Sequence, residues 1–492
     1  MIRFVYALKF QGWTRAPDQL AWELLLDEAR STGLRYDQLV HYPHEGGSIV
    51  LSLLALLLTP LVRSAGLPSL VLAALLFDTA ARAAAIAVAR RVFGGGAALT
   101  YALFSVFSLP LLLPWSVLGF GLHAASGIWP IVFLLFTHVG LGTRRRAALF
   151  GAFVALAIVF SYEDLALVPA ALVLVVLEAR GARGAAGRRV MLGFAASCAG
   201  LLSLHLLVRV TVPTGFLLQP HGPLSVRGLD FLSPPLGDLL SLWRRVFSHT
   251  LPGATQLPAL AGLGKESLRV GFVLVAAGGV LLAILRRETR RAAALGALVL
   301  VTWLLLYAAS PLFGPRRDFD DFIYYRHLAF ILPLLSLLAL AGFSARRHAL
   351  RLGALVLIAT SIAAGVNALR DVKASVPNDT STGWVLAHKL GHDPDRLIRL
   401  LEVGGPRRRD LVFGYGWGYA AALFETADAT SPAGLAGVER VRRVAALVPV
   451  ELRGAFGEGI RFAFGPGITP RLDPRVLELI LRALPAEVHA AG

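Results

Sequence analysis

Three stretches of this 492-residue chain hold side chains able to act on a charged substrate. The first runs from Arg15-Ala16-Pro17-Asp18-Gln19 to His41-Tyr42-Pro43-His44-Glu45-Gly46-Gly47. Its carboxylates are Asp18 and Glu45. Asp18 follows a proline where a helix begins, and aspartate is among the preferred N-caps. Glu45 precedes two glycines that would let the backbone come close to a ligand; a plain loop-to-helix turn accounts for the same residues. His41 and His44 beside Glu45 have the types of metal ligands, without a helix or second cluster to complete a site. The second stretch is Tyr324-Tyr325-Arg326-His327-Leu328. A guanidinium at a membrane boundary can bind phosphate oxygens in a fork, and the alternative is interfacial anchoring with Tyr324 and Tyr325. Arg15 either assists at the same phosphate or is a plain exposed loop arginine. The third group lies within apolar runs. Asp78 and Arg82 are one helical turn apart, and each unpaired would cost roughly 2.5–3.5 kcal/mol at the centre of a spanning helix. A buried structural ion pair is the expectation there, ahead of a substrate contact. Glu163 and Asp164 sit on a short turn between apolar runs, either joining a pocket or solvated at its tip. His205 and Arg209 are candidates to line the same cavity.

The elements that must carry these residues are written in the composition. Hydrophobic residues make up 56% and charged residues 16% of the chain, with a mean hydropathy of +0.66. Soluble domains carry about 25% charged residues, so an ordinary soluble enzyme and a disordered chain are both excluded. The net charge of +17 does not point to nucleic acid, which needs basic residues gathered on one soluble surface. Here arginines cluster between apolar runs, at 90–91, 144–146, 180–189, 286–291 and 346–351, as cytoplasmic loops of membrane proteins do. Cys198 is the single cysteine, so no intrachain disulfide can form.

Apolar runs near the length of about 20 residues needed to cross a bilayer predict spans over 68–91, 96–114, 127–142, 146–161, 163–178, 190–212, 268–286, 291–309, 327–343 and 348–366. The two runs 146–161 and 163–178 are short and admit a bent hairpin that penetrates incompletely. The run 48–62 is read as an interfacial or re-entrant helix, a choice under which all five arginine clusters lie on one side. The expected fold is therefore all-α, a polytopic transmembrane bundle of about ten spans plus an interfacial helix, with a small helical C-terminal extramembrane region. Residues 1–67 form an outward N-terminal loop with its juxtamembrane helix, 68–369 the transmembrane domain, and 370–492 an outward helical tail. Residues 1–14 are too short for a span or a signal peptide and are read as the remnant of a first span, the alternative being that the segment crosses unaided. In the tail, Phe413-Gly414-Tyr415-Gly416-Trp417-Gly418-Tyr419-Ala420 recurs as Phe456-Gly457-Glu458-Gly459-Ile460-Arg461-Phe462-Ala463. Its small residues would let two helices approach closely; two Gly-rich helix ends are the plainer reading.

The order of features over residues 15–366 resembles the multispanning family-C glycosyltransferases that use polyprenyl-phosphate sugars. An acidic residue opens the first outward loop, a helix ending near Gly33 follows, and then come the turn around Pro43, the juxtamembrane helix and the basic turn Arg90-Arg91-Val92-Phe93-Gly94. Tyr325-Arg326-His327-Leu328 leading to Pro333 is similar to the family's approach to a late span. The sequence departs from the pattern in lacking a full first span and in having Gln19 after Asp18.

That resemblance implies an inverting transfer of sugar from a polyprenyl-phosphate donor to an extracytoplasmic glycan, lipid or protein acceptor. Asp18 takes the place of the base that removes the acceptor proton. Arg326 would clamp the donor phosphate with help from Arg15 and Tyr325, and Glu45 and Glu163 would complete the pocket. No cofactor is expected, the lipid-linked sugar being substrate, and a divalent metal stays open. The expected location is a bacterial cell membrane, multi-pass, with the tail outside the cytoplasm. The rival expectation is a non-catalytic membrane protein, a transporter or envelope-assembly scaffold. A transporter should show inverted repeats or broken spans in matching halves, and no such pairing is visible.

Overall fold

The computed structural model describes residues 2–10, 26, 47–65, 69–107, 127–182, 184–211, 265–309, 321–344, 348–371, 408–424, 431–465 and 474–484, with isolated positions between 380 and 401. Helix is the regular structure throughout these residues. The elements are α1 (Ile2–Phe10), α2 (Gly47–Ala65), α3 (Ser69–Phe93), α4 (Gly95–Phe107), α5 (Ile128–Val139), α6 (Arg144–Phe160), a 3₁₀ turn (Tyr162–Ala166), α7 (Leu167–Ala182) and α8 (Gly184–Thr211). They continue as α9 (Lys265–Leu285), α10 (Arg290–Ala309), α11 (Asp321–Phe343) and α12 (His348–Asp371). The last four are α13 (Arg408–Phe424), α14 (Pro432–Leu447), α15 (Val450–Ala463) and α16 (Pro474–Ala483).

Among the described residues, each of the ten apolar runs expected to span carries a helix, α3 to α12 in order. Among the described residues, Ser69–Phe93, Glu163–Ala182 and Gly184–Leu207 are long and apolar enough to cross a membrane. Ser161 ends α6 in extended conformation, and α6 packs chiefly along α8. That packing is close because it is made of glycine. A Cβ at Gly193 would stand 2.8 Å from the Arg144 carbonyl oxygen, and one at Gly151 would strike the Phe194 carbonyl. Small residues that admit a neighbouring backbone are the usual means of joining helices where no hydrophobic gain separates helix from lipid. Gly279 and Gly342 join α9 to α11 in the same way.

Helix α2, expected at the membrane surface, buries Leu51, Ser52 and Ala55 against the bundle and leaves Leu57 77% exposed. One contiguous core runs from Leu26 through Ile358, and a second, separate core gathers residues from Leu386 to Leu484. The second is formed by α13–α16 together with Leu386, Ala387, Leu397 and Leu401. Its axis is the pair α13 and α15, which carry the two copies of the sequence repeat. Gly416 lies against the Phe456 carbonyl and Gly459 against the Phe413 carbonyl. Equivalent residues of the repeat thus face each other reciprocally, in an antiparallel pair. The glycine pattern also explains how α13 is buried on two sides. Gly414 and Gly418 face Thr380 and Trp384, while Gly416, two residues from each and half a turn round the helix, faces α15.

Candidate functional site

The bundle has two chemically different ends. At one, five turns carry arginine, and contacts link each to the next. Gly96, after the α3–α4 turn, lies 3.5 Å as a built Cβ from the Ser344 carbonyl oxygen at the end of α11. Arg286, in the α9–α10 turn, donates through Nη1 to the Ala341 carbonyl at 3.2 Å. Arg291 pairs with Glu178 near the end of α7, and the other Glu178 oxygen accepts from the Leu141 backbone N–H at 2.7 Å. The α5–α6 turn containing Leu141 in turn leads to Arg144, beside Gly193 of α8. Gly94 and Gly140 make these turns possible with φ of 92° and 74°, positive values that glycine adopts at no steric cost. The Thr143 hydroxyl caps α6 by accepting from the Arg146 N–H at 3.2 Å.

The opposite end carries the other candidates. Phe77 of α3 stacks on Phe160 of α6 with centroids 5.6 Å apart, and Trp129 meets Phe160 edge-on. Phe160 leads directly into Ser161 and the 3₁₀ turn. There Asp164 is fully buried and Glu163 half-buried, both holding interactions within the protein. The turn also touches α10, where Trp303 stacks on Phe330 of α11 at 6.4 Å. Tyr325 and Arg326 lie on the N-terminal turns of α11, about one turn before Phe330. Glu163 and the backbone that carries Arg326 therefore share one end of the bundle. Arg15, Asp18, Glu45, His41 and His44 lie outside the described residues. His205, on α8, is half-buried and interacts within the protein.

The Asp78–Arg82 pair is formed as its spacing implied, and it is larger than the sequence showed. Arg82 donates through Nε to Oδ2 at 2.7 Å and through Nη2 to Oδ1 at 2.9 Å, a fork on one carboxylate. Arg3, from α1, completes an ion pair with Asp78 at 2.9 Å. Its Nη1 and Nη2 also donate to the carbonyls of Val106 and Ser105, at 3.2 and 3.0 Å. Tyr101 and Ser105 of α4 are buried beside this group. The group ties α1, α3 and α4 together. Arg3 escapes sequence reasoning because its partner, Asp78, lies far along the chain from residues 1–14.

Chemically, the carboxylate of Asp78 is occupied by guanidinium groups on both oxygens, so its work is to fix helices. Among the described residues no three His, Cys, Asp or Glu side chains gather as metal ligands. Set beside protein-family models, curated proteins and solved structures, the chain matches none.

Proposed function

We propose that the chain is an integral membrane glycosyltransferase of the family-C type, with α3 to α12 as ten spans and the arginine turns in the cytoplasm. It would sit in a bacterial cell membrane and move a sugar from a polyprenyl-phosphate donor to a glycan, lipid or protein acceptor outside. Asp18 is the base, Arg326 the phosphate clamp aided by Arg15 and Tyr325, and Glu45 and Glu163 line the acceptor side. The observation that carries this reading is the two-ended bundle. Five arginine turns gather at one end, and the candidates whose backbone is placed, Glu163 and Arg326, gather at the other. That is the separation a lipid-phosphate enzyme needs, because cytoplasmic arginines fix orientation while the reacting groups stay across the membrane.

The test uses the full-length protein with a polyprenyl-phosphate. Arg326→Lys keeps the charge and loses the planar fork, so donor binding should weaken about tenfold, equivalent to about 1.4 kcal/mol. Asp18→Asn should abolish transfer while donor binding persists. Full transfer by Asp18→Asn would remove Asp18 as the base, whereas no transfer by the wild type, with equal donor binding by wild type and Arg326→Lys, would favour the non-catalytic scaffold instead.

A further inference from the structure

The arginine end has a chemistry of its own, independent of any transfer reaction. Arg144, Arg145 and Arg146 form the first turn of α6 and all are exposed. Arg188 and Arg189 are exposed in the second turn of α8. Gly193 brings these two helices into backbone contact at Arg144, so the five guanidinium groups rise from neighbouring turns. Their placement is electrostatically unfavourable in the protein alone. The N-terminus of a helix is already the positive end of its dipole, and neither helix has an acidic residue in its first turn. Among the described residues of the five arginine turns the only acids are Glu178 and Glu288. Glu178 is engaged by Arg291 and the Leu141 N–H.

A second observation lies one turn along the same helices. Leu149 of α6 is 58% exposed, and Met191 and Leu192 of α8 are 44% and 66% exposed. Guanidinium groups that attract an anion thus border apolar side chains that attract hydrocarbon. A free inorganic anion would use only the first of these; an amphiphile uses both.

We infer that the joined N-terminal turns of α6 and α8 bind anionic phospholipid, the arginines holding its phosphate headgroup and Leu149, Met191 and Leu192 its acyl chains. The inference rests on the membrane reading and is independent of the transferase. A phospholipid with a net negative charge supplies the counter-charge that the chain's described residues do not, and basic segments at the cytoplasmic surface attract such lipids. Binding to the folded form alone raises stability by RT ln(1 + L/Kd), where L is the free ligand concentration.

The test is thermal unfolding of the full-length protein in neutral detergent, with added phosphatidylglycerol, phosphatidylcholine or inorganic phosphate. Phosphatidylglycerol should raise Tm by about 3–5 °C more than phosphatidylcholine, and about 0.5 M salt should shrink the difference by screening. The difference should fall to less than half in R144Q/R145Q/R146Q and in R188Q/R189Q, and should survive in R144K/R145K/R146K. Equal shifts from the two lipids overturn the inference, as does an undiminished difference in both glutamine variants. So does an equal effect from inorganic phosphate, which would mark a site for the free anion. Resistance of the chain to alkaline carbonate extraction tests the membrane reading separately. A resistant chain indifferent to phosphatidylglycerol removes only the lipid site, whereas an extracted chain removes the membrane reading.

Discussion

Asp78 and Glu439 each hold an arginine of their own helix, at 2.7 and 2.9 Å, and there the likeness ends. Asp78 and Arg82 are 6% and 15% exposed; Glu439 and Arg442 are 41% and 57% exposed. The helical bundle puts this pair inside and leucine outside, as at Leu149, Leu192 and Leu274. The C-terminal helices α13–α16 put aromatic and aliphatic side chains inside and ion pairs such as Arg409–Glu458 and Glu439–Arg442 outside. Their interiors draw on the same residues: alanine, leucine, phenylalanine and close-packed glycine. Apart from the buried ion group, what separates the regions is therefore the outward positions, because solvent acts on those. A buried methyl group is equally at home in either region.

This contrast can be broken most forcefully at Asp78. Removing one partner of a buried ion group leaves the others uncompensated, at a cost of about 3–5 kcal/mol. Asp78→Ala should lower the Tm of the bundle, with proteolysis beginning at α1, where Arg3 loses its carboxylate. The C-terminal helices should be protected as before; simultaneous loss of both regions would show that their cores are one cooperative unit.

The next effect lies in the second core. Gly459→Ala would drive a methyl group into the Phe413 carbonyl, and Gly416→Ala another into that of Phe456. Overpacking of this kind costs about 1–3 kcal/mol. Hydrogen exchange should rise in α13 and α15 to a similar degree in both variants, with the bundle unchanged. A large effect from one and none from the other would contradict the reciprocal packing.

The smallest effect belongs to Glu439. Its hydrogen bond from Arg442 holds the carboxyl below its ordinary value of 4.5. A depressed folded-state value contributes stability that is present above the ordinary one and lost as the pH falls through the folded one. The pair is exposed and screened. Glu439→Gln should therefore match wild type in acid and unfold only marginally earlier at neutral pH, a difference that added salt erases. A large neutral-pH loss would mean that the surface of this region is no different in kind from the interior of the bundle.

The ten helices were legible because length and apolarity are properties of contiguous sequence. The run 146–161 emerges as 144–160 and 348–366 as 348–371, the ends shifting where arginines and polar residues extend a helix beyond its apolar part. Asp78 and Arg82 were legible from spacing, since four residues on a helix place side chains on one face. Arg3 was not, because its partner lies 75 positions away and nothing local to α1 announces it. The repeat was visible as similarity, yet similarity does not say that the two copies face each other; that depends on the antiparallel return of the chain. Of the candidate site, sequence indicated residue types and order. The structure adds the shared end of Glu163 and the Arg326 helix, and Asp18, Glu45 and Arg15 lie outside what it describes.

The reciprocal seam between α13 and α15 has one more consequence. Phe413 meets Gly459 as Phe456 meets Gly416, so the seam has an approximate two-fold axis and each helix presents the same self-complementary face. Two separate chains bearing such a face would associate as a dimer, whose population falls on dilution. Here both copies belong to one polypeptide, and the linking chain sets their effective concentration. The pairing is therefore first-order: it forms at a rate and to an extent that are the same in a dilute sample as in a concentrated one.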